Sequence, residues 1–416
     1  MSSFTTNSSN PNQKWRMLAL IWLVYACFGI TVGSFPPLVS FISKDLDLSS
    51  TEMGLVLGAW QLVYIFTASP IGTLIDKHGV RKSVTIGMLI ILVSLVLRTF
   101  AFDFLTLFIT VGLFGIGGPI ISIGAPKVVS EWFEGKERGF AAGVYTTAPL
   151  AGVAIAIATA ASVVEPLTGS WRGIALVYGS IISLVLVLWF FASIDPPNTT
   201  RTIDNRNPYP RSRLSDLLKI RNVQIVLLLA LVTFLASHGF QNWLPTLLVD
   251  DGMKVTTAGN WVSIAIIAGA VSLVLIPLIS KNGNRRLIMA LMLFASSLSG
   301  FGIVTMDGLG QISSVIIWSI ARSPMIAVSM LILMDTKGVG KARMGSAAGL
   351  FYTVAEVGGF SGPFVLGAIR DITGNLDFGV LSISALTLSL VILMKLIKES
   401  PIQMDREGPS NTTHAP

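Results

Sequence analysis

Long apolar runs alternate with short polar segments along almost the whole chain, and this pattern is typical of a helical membrane protein. A helix needs about 20 mainly apolar residues to cross about 30 Å of hydrocarbon, because it rises about 1.5 Å per residue. Twelve runs reach this length, and we number them spans 1 to 12 in chain order. Their predicted ranges are 17–42, 53–75, 83–102, 105–130, 139–164, 172–194, 222–248, 258–280, 287–306, 310–334, 344–369 and 377–397.

One basic, glycine-containing hairpin occurs twice, each time between two apolar runs. The aligned residues are Lys77, Gly79, Arg81 and Lys82 in the first copy, and Lys281, Gly283, Arg285 and Arg286 in the second. The offset is constant at about 204 residues, close to half the chain. This repeat predicts an all-α integral membrane fold, in which twelve transmembrane helices form two six-helix bundles.

Polar segments divide the chain into five predicted parts. These are a cytoplasmic tail (1–14), an N-terminal six-helix bundle (15–194), a cytoplasmic linker (195–218), a C-terminal six-helix bundle (219–398) and a second cytoplasmic tail (399–416). The linker is the one long polar stretch between apolar runs. It begins with Asp195-Pro-Pro and contains several arginines.

Composition supports the membrane class. Of the 416 residues, 52% are hydrophobic and 12% are charged, and the mean hydropathy of +0.73 is far above that of a soluble domain of this size. The formal net charge of +7 could indicate nucleic-acid binding, but the basic residues form short clusters between apolar runs instead of one exposed face. We therefore expect a lipid bilayer around the protein and no nucleic-acid partner.

Lysine and arginine are concentrated in alternate loops. With both termini in the cytoplasm, the external loops and helix ends hold only Lys44, Arg98, Arg172, Lys254 and Arg370. Because basic loops stay on the cytoplasmic side, we predict a multi-pass protein of the cell membrane with both termini cytoplasmic. Arg98 and the nearby Asp103 are interpreted as interface anchors or a local pair.

The sequence contains no recognisable motif for covalent chemistry. It has one cysteine, Cys27, and three dispersed histidines, so a metal site is not expected. A phosphate-binding glycine loop and a Ser-His-Asp set at enzyme spacing are also missing from the sequence. We predict a protein that is not an enzyme and needs no cofactor.

The first hairpin carries the residues by which the chain resembles a known family. The pattern Gly-x-x-x-Asp-Lys-x-Gly-x-Arg-Lys is complete at Gly72, Asp76, Lys77, Gly79, Arg81 and Lys82. With twelve spans in a 6+6 repeat and a central linker, the chain resembles the major facilitator superfamily. The resemblance implies a secondary transporter that works by alternating access, in which this hairpin and Arg138 gate the cytoplasmic side. We expect a monomer.

Within that superfamily, the chain is similar to the cyanate-permease-like branch. The similarity lies in Trp132-Phe-Glu-Gly-Lys-Glu-Arg138-Gly and in Phe240-Gln-Asn-Trp243-Leu-Pro245. Drug antiporters would carry Gly-Pro-x-x-Gly-Gly in span 5, where this chain has Ala148-Pro149-Leu-Ala-Gly152. This departure argues against multidrug export.

Two charged residues are predicted near the middle of spans, Arg322 in span 10 and Glu356 in span 11. A charge at the centre of a membrane helix costs about 2.5 to 3.5 kcal/mol on insertion scales, so such residues usually face a cavity or a partner. We predict that Arg322 binds the anionic group of the substrate through its forked donors. Glu356 would contribute to the site, carry a coupled proton and pair with Arg322 when the site is empty. The alternative is a structural ion pair that never contacts substrate.

Further polar residues within the spans are weaker candidates for the substrate site. They are Lys127, His238, Tyr25, Gln61, Tyr64, Tyr145 and Tyr352. Each also has a structural interpretation. Lys127 could extend toward the lipid headgroups, His238 could be a structural histidine, and the others could bond between helices.

These observations together predict a secondary transporter of a small anionic solute, such as a carboxylate or cyanate, with proton coupling as one option. Two alternatives stay open. One is a transporter-like membrane sensor without net flux, and the other is a transporter of a neutral or zwitterionic solute.

Overall fold

The computed structural model describes residues 11–195, 214–280 and 283–397, and this part of the chain contains helices and turns but no strand. Spans 1 to 6 are Pro11–Gly33, Ser50–His78, Val80–Leu97, Phe104–Trp132, Gly135–Thr159 and Gly173–Ala192. Spans 7 to 12 are Arg221–Asp250, Val255–Ile279, Arg285–Thr305, Leu309–Arg322 with Met325–Asp335, Gly340–Thr373 and Asp377–Leu393. The described residues also contain three short α-helices outside the spans, Val39–Leu46, Glu165–Thr168 and Leu214–Leu217.

Helices are present at all twelve predicted positions within the described ranges. Ten helical segments are long and apolar enough to cross a membrane by length and composition alone. The other two, spans 2 and 11, are 29 and 34 residues long, which exceeds the roughly 20 residues that a crossing needs. Much of the predicted linker (196–213) and of the predicted tails (1–10 and 398–416) lies outside the described residues.

Span 10 is interrupted in its middle. Its first helix ends at Arg322, and Pro324 precedes the second helix. Proline has no backbone N–H, and its ring clashes with the preceding turn of a helix. The break therefore follows from Pro324, and it places Arg322 at a helix end inside the bundle.

Equivalent helices pack in the same way in both halves. In the first half, span 1 packs against span 5 and span 2 against span 4; in the second half, span 7 packs against span 11 and span 8 against span 10. The halves meet through two further equivalent pairs, span 2 with span 11 and span 5 with span 8. The predicted fold of two six-helix bundles is confirmed.

Two glycines at equivalent positions allow the closest of these contacts. A Cβ atom at Gly152 of span 5 would lie 2.1 Å from the carbonyl oxygen of Ala26 in span 1. A Cβ atom at Gly358 of span 11 would lie 2.0 Å from the carbonyl oxygen of Leu231 in span 7. Close approach of two backbones at small residues is the usual way in which membrane helices pack.

The repeated hairpins also depend on glycine. Gly79 and Gly283 have φ values of 85° and 96°, a region that only glycine adopts readily. Gly79 ends span 2 and leads directly into span 3. This requirement explains why the glycine recurs in both copies of the hairpin.

The halves are in tight contact at one end of the bundle. We call the end that holds Pro11 the termini side and the other end the opposite side. On the opposite side, a Cβ atom at Gly54 would lie 2.4 Å from Pro363 O, and one at Gly367 would lie 2.1 Å from Ser50 O. These two contacts join span 2 of the first half to span 11 of the second half without room for a methyl group.

A carboxylate adds a polar contact across the opposite side. Asp371 of span 11 accepts hydrogen bonds from the backbone N–H groups of Ser50 and Thr51, at 2.9 and 2.7 Å, and from Thr51 Oγ1 at 2.5 Å. These donors lie at the N-terminus of span 2, where unpaired N–H groups and the helix dipole favour an anion. Asp371 therefore fastens the second half to the first.

On the termini side, the same helices diverge. Gly349 precedes Phe360 by 11 residues on span 11 (360 − 349 = 11), about three helical turns, so both residues face span 2. A Cβ atom at Gly58 of span 2 would lie 2.8 Å from Phe360 O, whereas a Cβ atom at Gly349 would have no described atom within 4 Å. Among the described residues, the halves are therefore closed on the opposite side and open on the termini side.

Candidate functional site

Two polar side chains from different halves meet near the middle of their helices. Gln61 Nε2 of span 2 lies 3.1 Å from His238 Nδ1 of span 7, so the amide is positioned to donate to the ring. Gln61 is fully buried. The rings of Trp60 and Phe234 contact the imidazole, with centroids 6.0 and 5.6 Å away. These contacts fix the orientation of His238 between the two halves.

The carboxylate of Glu356 approaches this pair across Gly359. A Cβ atom at Gly359 would lie 3.1 Å from Glu356 Oε2, 3.1 Å from His238 Cδ2 and 3.6 Å from Gln61 Cγ. The three side chains therefore surround one point, which glycine leaves free. Glu356 is 8% exposed, and its Oε2 has no hydrogen-bond partner among the described residues.

Arg322 extends from the break in span 10. Its guanidinium carbon lies 4.9 Å from the centroid of the Trp318 ring, one turn earlier on the same helix. Arg322 is close enough to His238 for an electrostatic interaction between the two side chains. The Arg322 Nε is buried and has no hydrogen-bond partner within the described part of the chain. A guanidinium held against an aromatic ring in this way keeps donors available for a planar anion.

The predicted pairing of Arg322 with Glu356 is wrong for this conformation. Within the described ranges, Arg322 Nε and Glu356 Oε2 are both buried without a partner. The physical reason is that Glu356 lies beside Gln61 and His238, whereas Arg322 stacks on Trp318 of its own helix. The site thus holds a separate cation and a separate carboxyl group.

Four tyrosines complete the site. Tyr25 and Tyr145 stack with their centroids 6.3 Å apart, and Tyr25, Tyr64 and Tyr352 are close enough to Glu356 for electrostatic interaction. Tyr352 is 44% exposed and lies one turn closer to the termini side than Glu356 on span 11. We call the following eight residues the central cluster: Tyr25, Gln61, Tyr64, Tyr145, His238, Arg322, Tyr352 and Glu356.

The central cluster combines one guanidinium with neutral hydrogen-bonding groups and one carboxyl group. The guanidinium can bind a carboxylate with two parallel hydrogen bonds, and the phenols and the amide can bond to hydroxyl groups. Glu356 can take up or release a proton. The described residues contain no group of three or more His, Cys, Asp or Glu side chains that could hold a metal ion.

Lys127 is not brought into the central cluster. Its Nζ lies 4.0 Å from Glu131 Oε1, one turn later on span 4. Phe114, which packs against Trp60, precedes Lys127 by 13 residues (127 − 114 = 13), or about 20 Å of helix. Lys127 therefore lies toward the termini side, away from the predicted substrate site.

The first hairpin lies at the open termini side. Arg81 donates from Nε to Ser193 Oγ at 3.1 Å and from a terminal nitrogen to Phe190 O at 2.9 Å, which joins span 3 to span 6. Arg138 donates to Ser130 O at 2.5 Å. Both arginines thus bond within the first half in this open conformation.

The remaining hairpin residues do not form a closed gate here. Gly72 borders open space, and Lys77 and Lys82 are exposed. The backbone of Asp76 belongs to span 2, but its side chain lies outside what the structure describes. The predicted gating role of these residues stays a prediction.

Arg98 is buried, so its interpretation as an interface anchor or a partner of Asp103 is wrong. It is 2% exposed, and its guanidinium carbon lies 4.8 and 5.9 Å from the rings of Phe35 and Phe114. Asp103 instead caps span 4, because its Oδ1 accepts from the backbone N–H of Thr106 at 2.8 Å. Hydrogen bonds from Thr106 also lower the pKa of the Asp103 carboxyl group. The Asp-x-x-Thr capping spacing was a sequence signal for this role.

The aromatic residues that hold His238 were not predicted from the sequence. Phe234 precedes His238 by four residues on span 7, a spacing that places two side chains on the same helix face. Trp60 comes from the other half and adjoins Gln61. The first contact could have been predicted from helical spacing, but the second depends on how the halves meet.

Comparisons with known proteins agree with this architecture. The sequence model of the Major Facilitator Superfamily matches residues 21–363. A hexuronate transporter of Bacillus subtilis (strain 168) is 26% identical over an alignment 398 positions long, which covers 89% of this chain and 92% of that protein. Another protein of Bacillus subtilis (strain 168), named "Probable galactarate/D-glucarate transporter GudP", is 23% identical over an alignment 481 positions long, which covers 99% of this chain and 98% of that protein.

A solved structure has the same fold. It is the crystal structure of a bacterial homologue of the human lysosomal transporter Spinster, in an inward-facing and occupied conformation. It aligns with a TM-score of 0.74 at 15% identity and covers 94% of this chain and 95% of that one.

Proposed function

The chain belongs to the Major Facilitator Superfamily, and on that basis we propose that it is a secondary transporter of a sugar acid or a similar small organic anion. The observation that carries the proposal is the position of the central cluster. An arginine and several neutral hydrogen-bonding groups lie between two halves that are closed on one side and open on the other. Such a site can be reached from one side of a membrane at a time, as alternating access requires.

We propose that Arg322 binds the carboxylate of the substrate. Its buried Nε and its stacking on Trp318 support this role, because a desolvated guanidinium needs an acceptor. Tyr25, Tyr145 and Gln61 would bond to the hydroxyl groups of the sugar acid. The names of the two Bacillus relatives support this substrate class. The narrower resemblance to the cyanate-permease-like branch stays a prediction.

Proton coupling is proposed through Glu356. Arg322 and Glu356 are buried and lie apart from each other, and either group would be costly to enclose as an unpaired charge. An anion on Arg322 and a proton on Glu356 would neutralise both charges. The loaded site could then be enclosed more readily than a half-loaded one, which favours movement of anion and proton together.

We propose that the termini side faces the cytoplasm, since the basic residues are concentrated there. The structure would then be the cytoplasm-open conformation of a monomer, with transport units at 15–194 and 219–398 and a cytoplasmic linker between them. Cysteine labelling in intact cells tests this orientation. Labelling from outside the cell at position 204 or 341 would contradict it.

The substrate class is tested by uptake into proteoliposomes. The panel contains D-glucuronate, D-galacturonate, D-glucarate and cyanate, with D-glucose as a neutral control. We expect Arg322→Lys to weaken binding of the transported acid about tenfold or more, because lysine keeps the charge but loses the paired hydrogen bonds. Arg172→Lys is the matched control, since Arg172 bonds to Asp45, Thr99 and Ala101 outside the site.

Uptake of D-glucose but of none of the acids would contradict an anion transporter. Binding of an acid without any exchange across the membrane would indicate the sensor instead. Unchanged affinity in stably folded Arg322→Lys would remove Arg322 from the site.

A further inference from the structure

A second buried arginine lines a cavity outside the central cluster. The volume of this cavity is about 20 Å³, which is room for about one water molecule. It is enclosed by residues of spans 1, 2, 4 and 7 and of the turns that follow spans 1 and 3. The lining residues that matter here are Arg98, Thr31, Trp60, Phe114 and Asn242.

Arg98 meets no acidic side chain in this cavity. Its Nε is buried without a hydrogen-bond partner within the described residues, and its terminal nitrogen donates only weakly, to Ser94 Oγ at 3.3 Å. None of the described side chains that line the cavity is Asp or Glu. A buried cation is costly unless an acceptor balances it. The cavity therefore has the chemistry of an anion site.

The cavity lies between the closed opposite side and the central cluster. Span 2 begins on the opposite side. From that end, the closing contact at Gly54 comes first, Trp60 comes next, and Gln61 of the central cluster follows. The Trp60 ring contacts His238 and also lines the cavity, so it separates the two spaces. Asn242 lines the cavity from the second half, one turn beyond His238, to whose carbonyl oxygen it donates at 2.8 Å.

We propose that Arg98 forms a second anion-binding site, which receives the carboxylate of the substrate when the halves separate on the opposite side, before the carboxylate reaches Arg322. This inference rests on the proposed function. Separation would move Asn242 away with the second half and expose Arg98 to solution. In the closed conformation the cavity is too small for a sugar acid, so the substrate must by then have passed Trp60.

Two variants hold the protein in the two conformations for the test. Gly54→Trp cannot fit against Pro363 in the closed contact, so it keeps the opposite side open. Gly349→Trp fits the open termini side, where a Cβ atom would meet no described atom within 4 Å, but it blocks closure there. The affinity for D-glucuronate is measured by titration calorimetry on purified full-length protein in each background.

In the Gly54→Trp background, we expect Arg98→Gln to weaken D-glucuronate binding about tenfold or more, the effect of losing a hydrogen bond to a charged group. Arg98→Lys should weaken it less. In the Gly349→Trp background both variants should bind as their parent does. Arg370→Gln is the matched control, because Arg370 is also an arginine of the opposite side but pairs with Asp250 at 2.7 Å.

An unchanged affinity of both Arg98 variants in the Gly54→Trp background would overturn the inference. Equal weakening in both backgrounds would also overturn it, because Arg98 would then act on the fold and not as a site. If Arg98→Gln does not fold, the affinities of Arg98→Lys in the two backgrounds decide whether Arg98 forms the site. If neither parent binds any acid of the panel, the proposed function fails and this inference fails with it.

Discussion

The closed opposite side depends on a glycine that has no room for a methyl group. In Gly54→Ala, the new Cβ atom would lie 2.4 Å from Pro363 O and 2.9 Å from the carbonyl carbon of Pro363. Carbon atoms in contact prefer about 3.5 to 4 Å, so spans 2 and 11 would have to move apart by about 1 Å. Overpacking of this size costs about 1 to 3 kcal/mol. That cost falls only on the closed conformation, and it corresponds to a shift of about 5- to 150-fold toward the conformation that is open on the opposite side.

Paired spin labels and pulsed electron resonance measure this shift. Labels at positions 102 and 375 report the separation of the halves on the opposite side, and labels at 139 and 346 report the termini side. Gly54→Ala should lengthen the first distance and shorten the second, while the unfolding temperature stays close to that of the unsubstituted protein. Gly179→Ala is the matched control, because its Cβ atom would make an ordinary contact of 3.7 Å inside the first half. Distances and uptake that match the unsubstituted protein would refute the argument that this contact sets the conformational equilibrium.

Three further substitutions test the polar groups. Asp371→Asn removes the negative charge of the side chain that accepts hydrogen bonds from Ser50 and Thr51. We expect the conformational equilibrium to shift by about 1 kcal/mol toward the conformation that is open on the opposite side. Unchanged distances between the same spin labels would contradict this. Glu356→Gln should preserve exchange of the acid between the two sides of proteoliposomes but abolish the stimulation of uptake by a pH gradient; stimulation that persists would assign the proton to another group. Asp76→Asn should reduce turnover more than expression, as the hairpin pattern implies, and normal uptake per molecule of protein would show that the cytoplasmic gate lies elsewhere.

The spans, the repeat and the location of Arg322 and Glu356 within spans 10 and 11 could be predicted from the sequence. Transfer of a helix from water to hydrocarbon depends on the composition of about 20 consecutive residues. A membrane span can therefore be identified from the order of residues in the chain. The hairpin glycines could be identified for a similar reason, because Gly79 and Gly283 satisfy a local backbone requirement that is independent of the rest of the fold.

The contacts between residues from different helices could not be predicted in this way. Gln61 and His238 are 177 residues apart in the chain, and their meeting depends on the rotation and depth of two helices from different halves. The same packing places Glu356 beside Gly359 and His238, and it leaves Arg322 on Trp318 instead of on Glu356. Sequence spacing describes one helix at a time, whereas these distances are set by how backbones approach at small residues such as Gly358.

The burial of Arg98 and the conformation of the two halves were likewise decided only by tertiary structure. An arginine at the end of an apolar run has the same sequence pattern whether it extends to the interface or folds back against Phe35 and Phe114. Which side is closed depends on contacts such as Gly54 with Pro363, and in an alternating-access transporter those contacts exist in only one of the conformations that the same sequence must adopt. The sequence by itself therefore determined the membrane helices and their duplication. The packing of those helices determined which polar groups form the site and from which side it opens, because free energy from contacts between helices depends on their relative positions and not on the order of residues within each.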